Sequence, residues 1–144
     1  MKLEGIKHIF WDLDHTLWDF DSNAHDTLVE LFEQFGLAAE LNTDAVSFIT
    51  EYKRINDECW DEYRKGEMEK DVLRTIRYRM AFESFGSKNH GLADDLGWAY
   101  VKNCPLKTKV KPGTFEVLDA LKDRFDQHII TNGFQEIQEV KQGK

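Results

Sequence analysis

The sequence predicts an α/β fold in which a four-helix bundle is inserted between two parallel strands. Three observations carry this: a short apolar run near the N-terminus, a second one ending at Ile130, and four stretches of helical periodicity between them. Residues 6–12 read as a buried strand, apolar and aromatic, broken at Asp14. Ser22 can cap a helix with apolar positions Ala24, Leu28, Leu31, Phe32 and Phe35, stopped by Gly36. Thr43 can cap a longer one through Val46, Ile49, Tyr52, Cys59, Trp60 and Tyr63, ending near Gly66. Met68, Val72, Leu73, Ile76 and Met80 mark a third helix, and Leu92, Leu96, Ala99 and Tyr100 a fourth, ended by Pro105. A charged linker, Leu106 to Lys111, returns the chain to a helix from Thr114 to about Asp123, and the second strand ends at Thr131. A last helix starts near Phe134, with Ile137 and Val140 as its apolar side.

Composition narrows the function classes. A hydrophobic content of 41% with 10 Phe, 4 Trp and 4 Tyr argues for a folded core rather than a disordered chain. The net charge of −8, without a basic patch, argues against a nucleic acid polymer as partner. No apolar run reaches transmembrane length and the N-terminus lacks an apolar signal region, so no membrane partner is expected. Cys59 and Cys104 have no metal-ligand spacing and read as two buried free thiols, which points to a cytoplasmic protein.

The chemistry concentrates in Ile9-Phe10-Trp11-Asp12-Leu13-Asp14-His15-Thr16-Leu17. On an extended backbone Asp12 and Asp14 project to the same side. Two carboxylates that close resist ionising together, so one suits a nucleophile and the other a general acid and base. The plain alternative is a strand ending in an acidic turn. The second apolar run, Ile129-Ile130-Thr131-Asn132-Gly133-Phe134, also ends in a small polar turn. Ligands of open α/β sheets bind beyond the carboxyl ends of strands, where both turns are expected.

An Asp-x-Asp-x-Thr loop after a first strand and a Thr after a second resemble the first two motifs of the haloacid dehalogenase (HAD) superfamily. Pro112-Gly113 with the Leu118/Leu121 helix fits the same pattern. The phrases from Trp11 to Phe20 and from Ile129 to Phe134, with Trp60 to Gly66, are most similar to its pyrimidine 5′-nucleotidase branch. The resemblance implies a Rossmann-like core from residues 1–17 and 107–144, incomplete with two parallel strands, and a helical cap over 18–106. It implies a phosphatase acting on a small phosphate monoester, a nucleoside 5′-monophosphate in particular. Asp12 is then the nucleophile that becomes an aspartyl phosphate, and Asp14 the acid and base. Mg²⁺ is held by the Asp12 carboxylate and the Asp14 backbone carbonyl. Thr131, with the amides of Asn132 and Gly133, contacts phosphate. Trp18, Tyr63 and Arg77 are cap candidates for contact with the leaving group.

The family's third motif carries a lysine and its fourth an acidic pair, both after the second motif. The sequence ends at Lys144, and Lys141 and Lys144 follow Thr131 too soon to serve as that lysine. Asp94-Asp95 precede the second motif and read as helix N-terminal charges rather than the acidic pair. The expectation is therefore the N-terminal part of a truncated enzyme, inactive alone. The alternatives are a haloacid dehalogenase of the same fold, which does not need Asp14, and a non-catalytic dimerising fragment. Two strands without further neighbours leave sheet edges exposed, so Ile6, Ile9, Phe10, Ile129 and Ile130 are expected to be only partly buried, and the expectation is a homodimer through those edges or, alternatively, a poorly ordered core beside a well-folded cap.

Overall fold

The computed structural model describes residues 4–133 and 135–143. In chain order the elements are β1 (His8–Asp12), α1 (Phe20–Gln34), α2 (Leu37–Leu41), α3 (Ala45–Arg64), α4 (Lys70–Ser84), α5 (His90–Asn103), a 3-10 turn (Cys104–Leu106), α6 (Thr114–Leu121), β2 (Asp126–Ile130) and α7 (Gln135–Gln142). The chain is a mixed α/β protein with a two-stranded parallel sheet, and the helices α1–α5 are inserted between its strands. It divides into two compact units, one built from the residues up to Ala24 with those from Pro105 onward, the other from His25 to Cys104. Trp18 to Ala24 thus group with the strands.

In the first unit β1 and β2 pair in register from His8 opposite Asp126 to Asp12 opposite Ile130. Trp11 Nε1 donates to Gln127 Oε1 at 2.9 Å, and Gln127 Nε2 donates to the Leu118 carbonyl at 2.9 Å, so one side chain ties β1 to α6 through β2. The returning segment runs beside the start of α1. Asn23, fully buried, donates to the Lys109 carbonyl at 2.8 Å and accepts from its N–H at 3.2 Å, while Thr114 Oγ1 and the Lys111 N–H both donate to the Leu17 carbonyl. The sheet itself is open: Phe10 is 63% exposed and Ile130 60%, with Ile6 and Ile129 also exposed and Ile9 half-buried.

The second unit has the larger core. α3 packs on α4 and α4 on α5. Phe48, Leu73, Tyr78, Ala81, Phe82, Ala93 and Leu96 are fully buried. The Tyr52 and Tyr78 rings stack at 5.2 Å and their hydroxyls hydrogen-bond at 3.2 Å, which satisfies polar groups that burial would otherwise leave orphaned. A Cβ on Gly97 would lie 2.7 Å from the Tyr78 ring, so the glycine is what lets α5 approach α4. Arg79 bonds both carboxylate oxygens of Asp94, at 2.7 and 2.6 Å, and holds that carboxyl below its ordinary range.

Element boundaries differ from expectation where caps decide them. β1 begins at His8, because the chain at Gly5 takes a positive φ of 88°. α1 begins at Phe20 rather than after Ser22. Asp19 accepts from the Ser22 hydroxyl at 2.9 Å and its N–H at 3.3 Å, which lowers the Asp19 pKa. α3 is capped by Asp44, which accepts from Ser47 N–H at 2.7 Å, rather than by Thr43. Gly36 ends α1 but also opens the short helix α2, absent from the sequence reading. The start of the last helix near Phe134 lies outside the described residues.

Candidate active site

Asp12 is the last residue of β1, and Thr131 follows the last residue of β2. Since Asp12 pairs with Ile130, the register sets the acidic turn beside the Thr131 turn at the carboxyl end of the sheet. After Asp12 the chain winds tightly: the Leu13 carbonyl accepts from the N–H groups of Thr16, Leu17 and Trp18 at 3.4, 3.0 and 2.9 Å. His15 takes a left-handed φ of 68° to make that turn possible, and its ring lies over Phe20 at 4.8 Å. It serves the turn. Thr16 Oγ1 donates to Asp12 Oδ2 at 3.0 Å, orienting one oxygen of that carboxylate.

Asp14 is held from a different direction. Gln138 Nε2 donates to Asp14 Oδ2 at 2.8 Å and also reaches Thr131 Oγ1 at 2.7 Å. Lys141 Nζ donates to Asp14 Oδ1 at 2.9 Å. The structure therefore brings Asp14 and Thr131 onto one shared partner. The Gly133 N–H turns back to Thr131 Oγ1 at 3.3 Å, and Asn132 and Gly133 form the bend before α7.

Both α7 side chains were missed at the sequence level, and the helix sits differently from expectation. Ile137 and Val140 were read as its apolar side; instead Val140 is 40% exposed and the buried residues of α7 are Gln138 and Lys141. Their i, i+3 spacing on one face was the available signal, but a polar pair at that spacing ordinarily faces water.

The three leaving-group candidates fall in different units, Trp18 in the first and Tyr63 and Arg77 in the second. Trp18 is buried in the first unit, its indole N–H donating to the Lys107 carbonyl at 3.1 Å. Arg77 is buried in the second unit, donating to Asn56 Oδ1 at 2.8 Å beside the Tyr78 ring. Both are packed into cores rather than presented to a ligand. Tyr63 is half-buried, edge-on to Trp60 at 5.6 Å. Cys59 and Cys104 are buried and unbridged, and burial pushes the Cys59 thiol up, away from a reactive thiolate. Among the described residues no three His, Cys, Asp or Glu side chains cluster as a metal-binding group, and no helix is long and apolar enough to cross a membrane.

Comparison with known proteins agrees with this geometry. Pyrimidine 5′-nucleotidase PynA of Streptococcus pneumoniae is 29% identical over 133 residues, covering 92% of this chain and 53% of PynA. Pyrimidine 5′-nucleotidase YjjG of Escherichia coli is 27% identical over 133 residues, covering 92% of this chain and 54% of YjjG. The chain spans about half the length of the curated relatives it matches. Among solved structures, the magnesium-bound form of YfnB from Bacillus subtilis, described as a HAD-hydrolase, has the same fold, with a TM-score of 0.82 at 23% identity over 94% of this chain and 57% of YfnB. Residues 6–143 match the family of haloacid dehalogenase-like hydrolases. With a match over nearly its whole length and both turns at the strand ends, the chain belongs to the haloacid dehalogenase-like hydrolase family.

Proposed function

We propose that these residues carry the nucleophile, the acid/base and a phosphate contact of a Mg²⁺-dependent phosphatase that hydrolyses a nucleoside 5′-monophosphate. One observation supports this most: the strand register sets Asp12, Asp14 and Thr131 at one sheet end, with Gln138 bridging the last two. The likeness to two pyrimidine 5′-nucleotidases supports the choice of substrate.

In this reading Asp12 attacks phosphorus as the alcohol leaves, forming an aspartyl phosphate, and water then hydrolyses it. Splitting the displacement gives two lower barriers in place of one. Asp14 gives a proton to the leaving oxygen and takes one from the attacking water. Thr131 and the Asn132 and Gly133 amides bind phosphate oxygens at the turn before α7. The Asp12 carboxylate and the Asp14 carbonyl would hold Mg²⁺. They are hard oxygen donors, which suits an ion that keeps several waters. That ion offsets the repulsion between a carboxylate and a phosphate. The metal in YfnB fits this assignment. The helices between the strands are read as the cap, which closes over substrate and excludes water. The unbridged cysteines suit a cytoplasmic protein.

The test is phosphate release from a nucleoside 5′-monophosphate by the full-length protein, with and without a chelator. Asp14→Asn is expected to lower turnover by roughly 10²–10⁴-fold. Metal-independent release, or halide release from a 2-haloacid in place of phosphate release, contradicts the reading; the second outcome favours the dehalogenase.

The reading includes self-association through the sheet. Each exposed large apolar side chain there forgoes roughly 1.5–3 kcal/mol of burial, and unpaired strand edges are templates for a second copy. Light scattering of the chain is expected to give a dimer mass. A monomer whose strand amides are strongly protected from exchange contradicts this.

A further inference from the structure

The least expected feature of the first unit is a buried lysine that the mechanism above does not use. The side chain of Lys141 is 4% exposed. Its ammonium lies 2.9 Å from Asp14 Oδ1, 4.0 Å from the centre of the Trp18 ring and 5.3 Å from that of Phe20. A desolvated ammonium is costly unless it is paired, and here a carboxylate and two ring faces surround it. The Trp18 ring thereby serves as a wall for Lys141.

Gln138, one turn earlier, is 2% exposed. Its amide nitrogen gives one hydrogen bond to Asp14 Oδ2 and one to Thr131 Oγ1, while its Oε1 is buried without a hydrogen-bond partner among the described residues. Turning the amide over would set that oxygen against the carboxylate, so the donors are fixed toward Asp14. The missing Cβ of Gly133 makes the room: an added Cβ would meet Gln138 Cδ at 2.6 Å. Each oxygen of Asp14 thus has its own donor from a single helix.

We propose that Lys141 and Gln138 are positioning residues, which aim the Asp14 carboxylate at the leaving oxygen, and that Gln138 couples this aim to the phosphate contact at Thr131. The inference rests on the reading of Asp14 as acid and base. A misaimed acid matters most where the leaving group needs its proton. The alkoxide of a nucleoside needs it; nitrophenolate, a far weaker base, leaves without it.

The experiment measures kcat/KM, which reports transfer to Asp12 and not the later hydrolysis, of full-length Lys141→Met, Gln138→Met and Lys141→Arg on a nucleoside 5′-monophosphate and on p-nitrophenyl phosphate. Lys141→Met is expected to lower kcat/KM on the nucleotide by roughly 10–100-fold and on the aryl ester by less than about threefold. Lys141→Arg restores most of the loss, since it keeps the charge and the donors. Equal losses of kcat/KM on both esters overturn the inference, because a packing or uniform-binding role gives that pattern. If Lys141→Met does not fold, Gln138→Met carries the same comparison: a loss confined to the nucleotide supports the positioning role, and equal losses on both esters overturn it. Asp14→Asn separates the levels. If its loss also shows no dependence on the leaving group, the assignment of Asp14 as the acid fails, and the positioning role with it. If Asp14→Asn shows the dependence and the α7 variants do not, the positioning role alone fails.

Discussion

Asp12→Asn is expected to remove turnover by the full-length protein, with a loss of at least about four orders of magnitude, as removal of a nucleophile does elsewhere. The amide is a poor nucleophile and a poor ligand for a hard cation, so one substitution removes both contributions of this side chain. Its fold should survive. Asp12 is exposed at a strand end, where its side-chain hydrogen bond from Thr16 can be accepted equally by an amide oxygen. Phosphate release and the unfolding midpoint are to be measured on the same preparation. Near-normal activity in a folded variant contradicts the assignment of Asp12.

Phe48→Ala is expected to destabilise the helical unit by about 3–5 kcal/mol, against the roughly 5–15 kcal/mol total that is usual for a domain. Phe48 is fully buried and its ring lies 5.7 Å from Phe32, 6.4 Å from Tyr52, 6.3 Å from Phe82 and 6.2 Å from Phe85. Truncation leaves a void that four surrounding rings cannot close together. Urea unfolding followed by helical circular dichroism measures it, and a cost below about 1 kcal/mol would mean that this core is not close-packed.

The sequence carries the fold at the level of period and punctuation. Alternation between short apolar runs and helical spacing located β1, β2 and four of the five inserted helices, all but α2, and the mixed α/β architecture with a parallel strand pair is what the structure has. Caps were less legible, because Asp19 and Asp44 compete with the neighbouring Ser22 and Thr43, and only the three-dimensional turn decides which oxygen meets the free N–H groups. The strand-end placement of Asp12, Asp14 and Thr131 follows from local sequence, since each directly ends or follows an apolar run. The α7 contribution does not follow. Gln138 and Lys141 are buried only because Asp14, 127 residues before Lys141, offers acceptors there, and no local pattern reports a partner at that distance. The burial of Trp18 and Arg77 was illegible for the converse reason: an amphipathic side chain looks the same in sequence whether its polar end meets a ligand or, as here, the Lys107 carbonyl and Asn56.

The central claim is that Asp12 forms a covalent bond to phosphorus. Acid quenching of the full-length protein during turnover of a nucleoside 5′-monophosphate, followed by peptide mass spectrometry, measures this directly. The expected result is a phosphoryl adduct on the peptide containing Asp12, lost on neutral hydroxylamine treatment and absent from Asp12→Asn. Steady phosphate release with no adduct at any quench time, or an adduct on another residue, would contradict it.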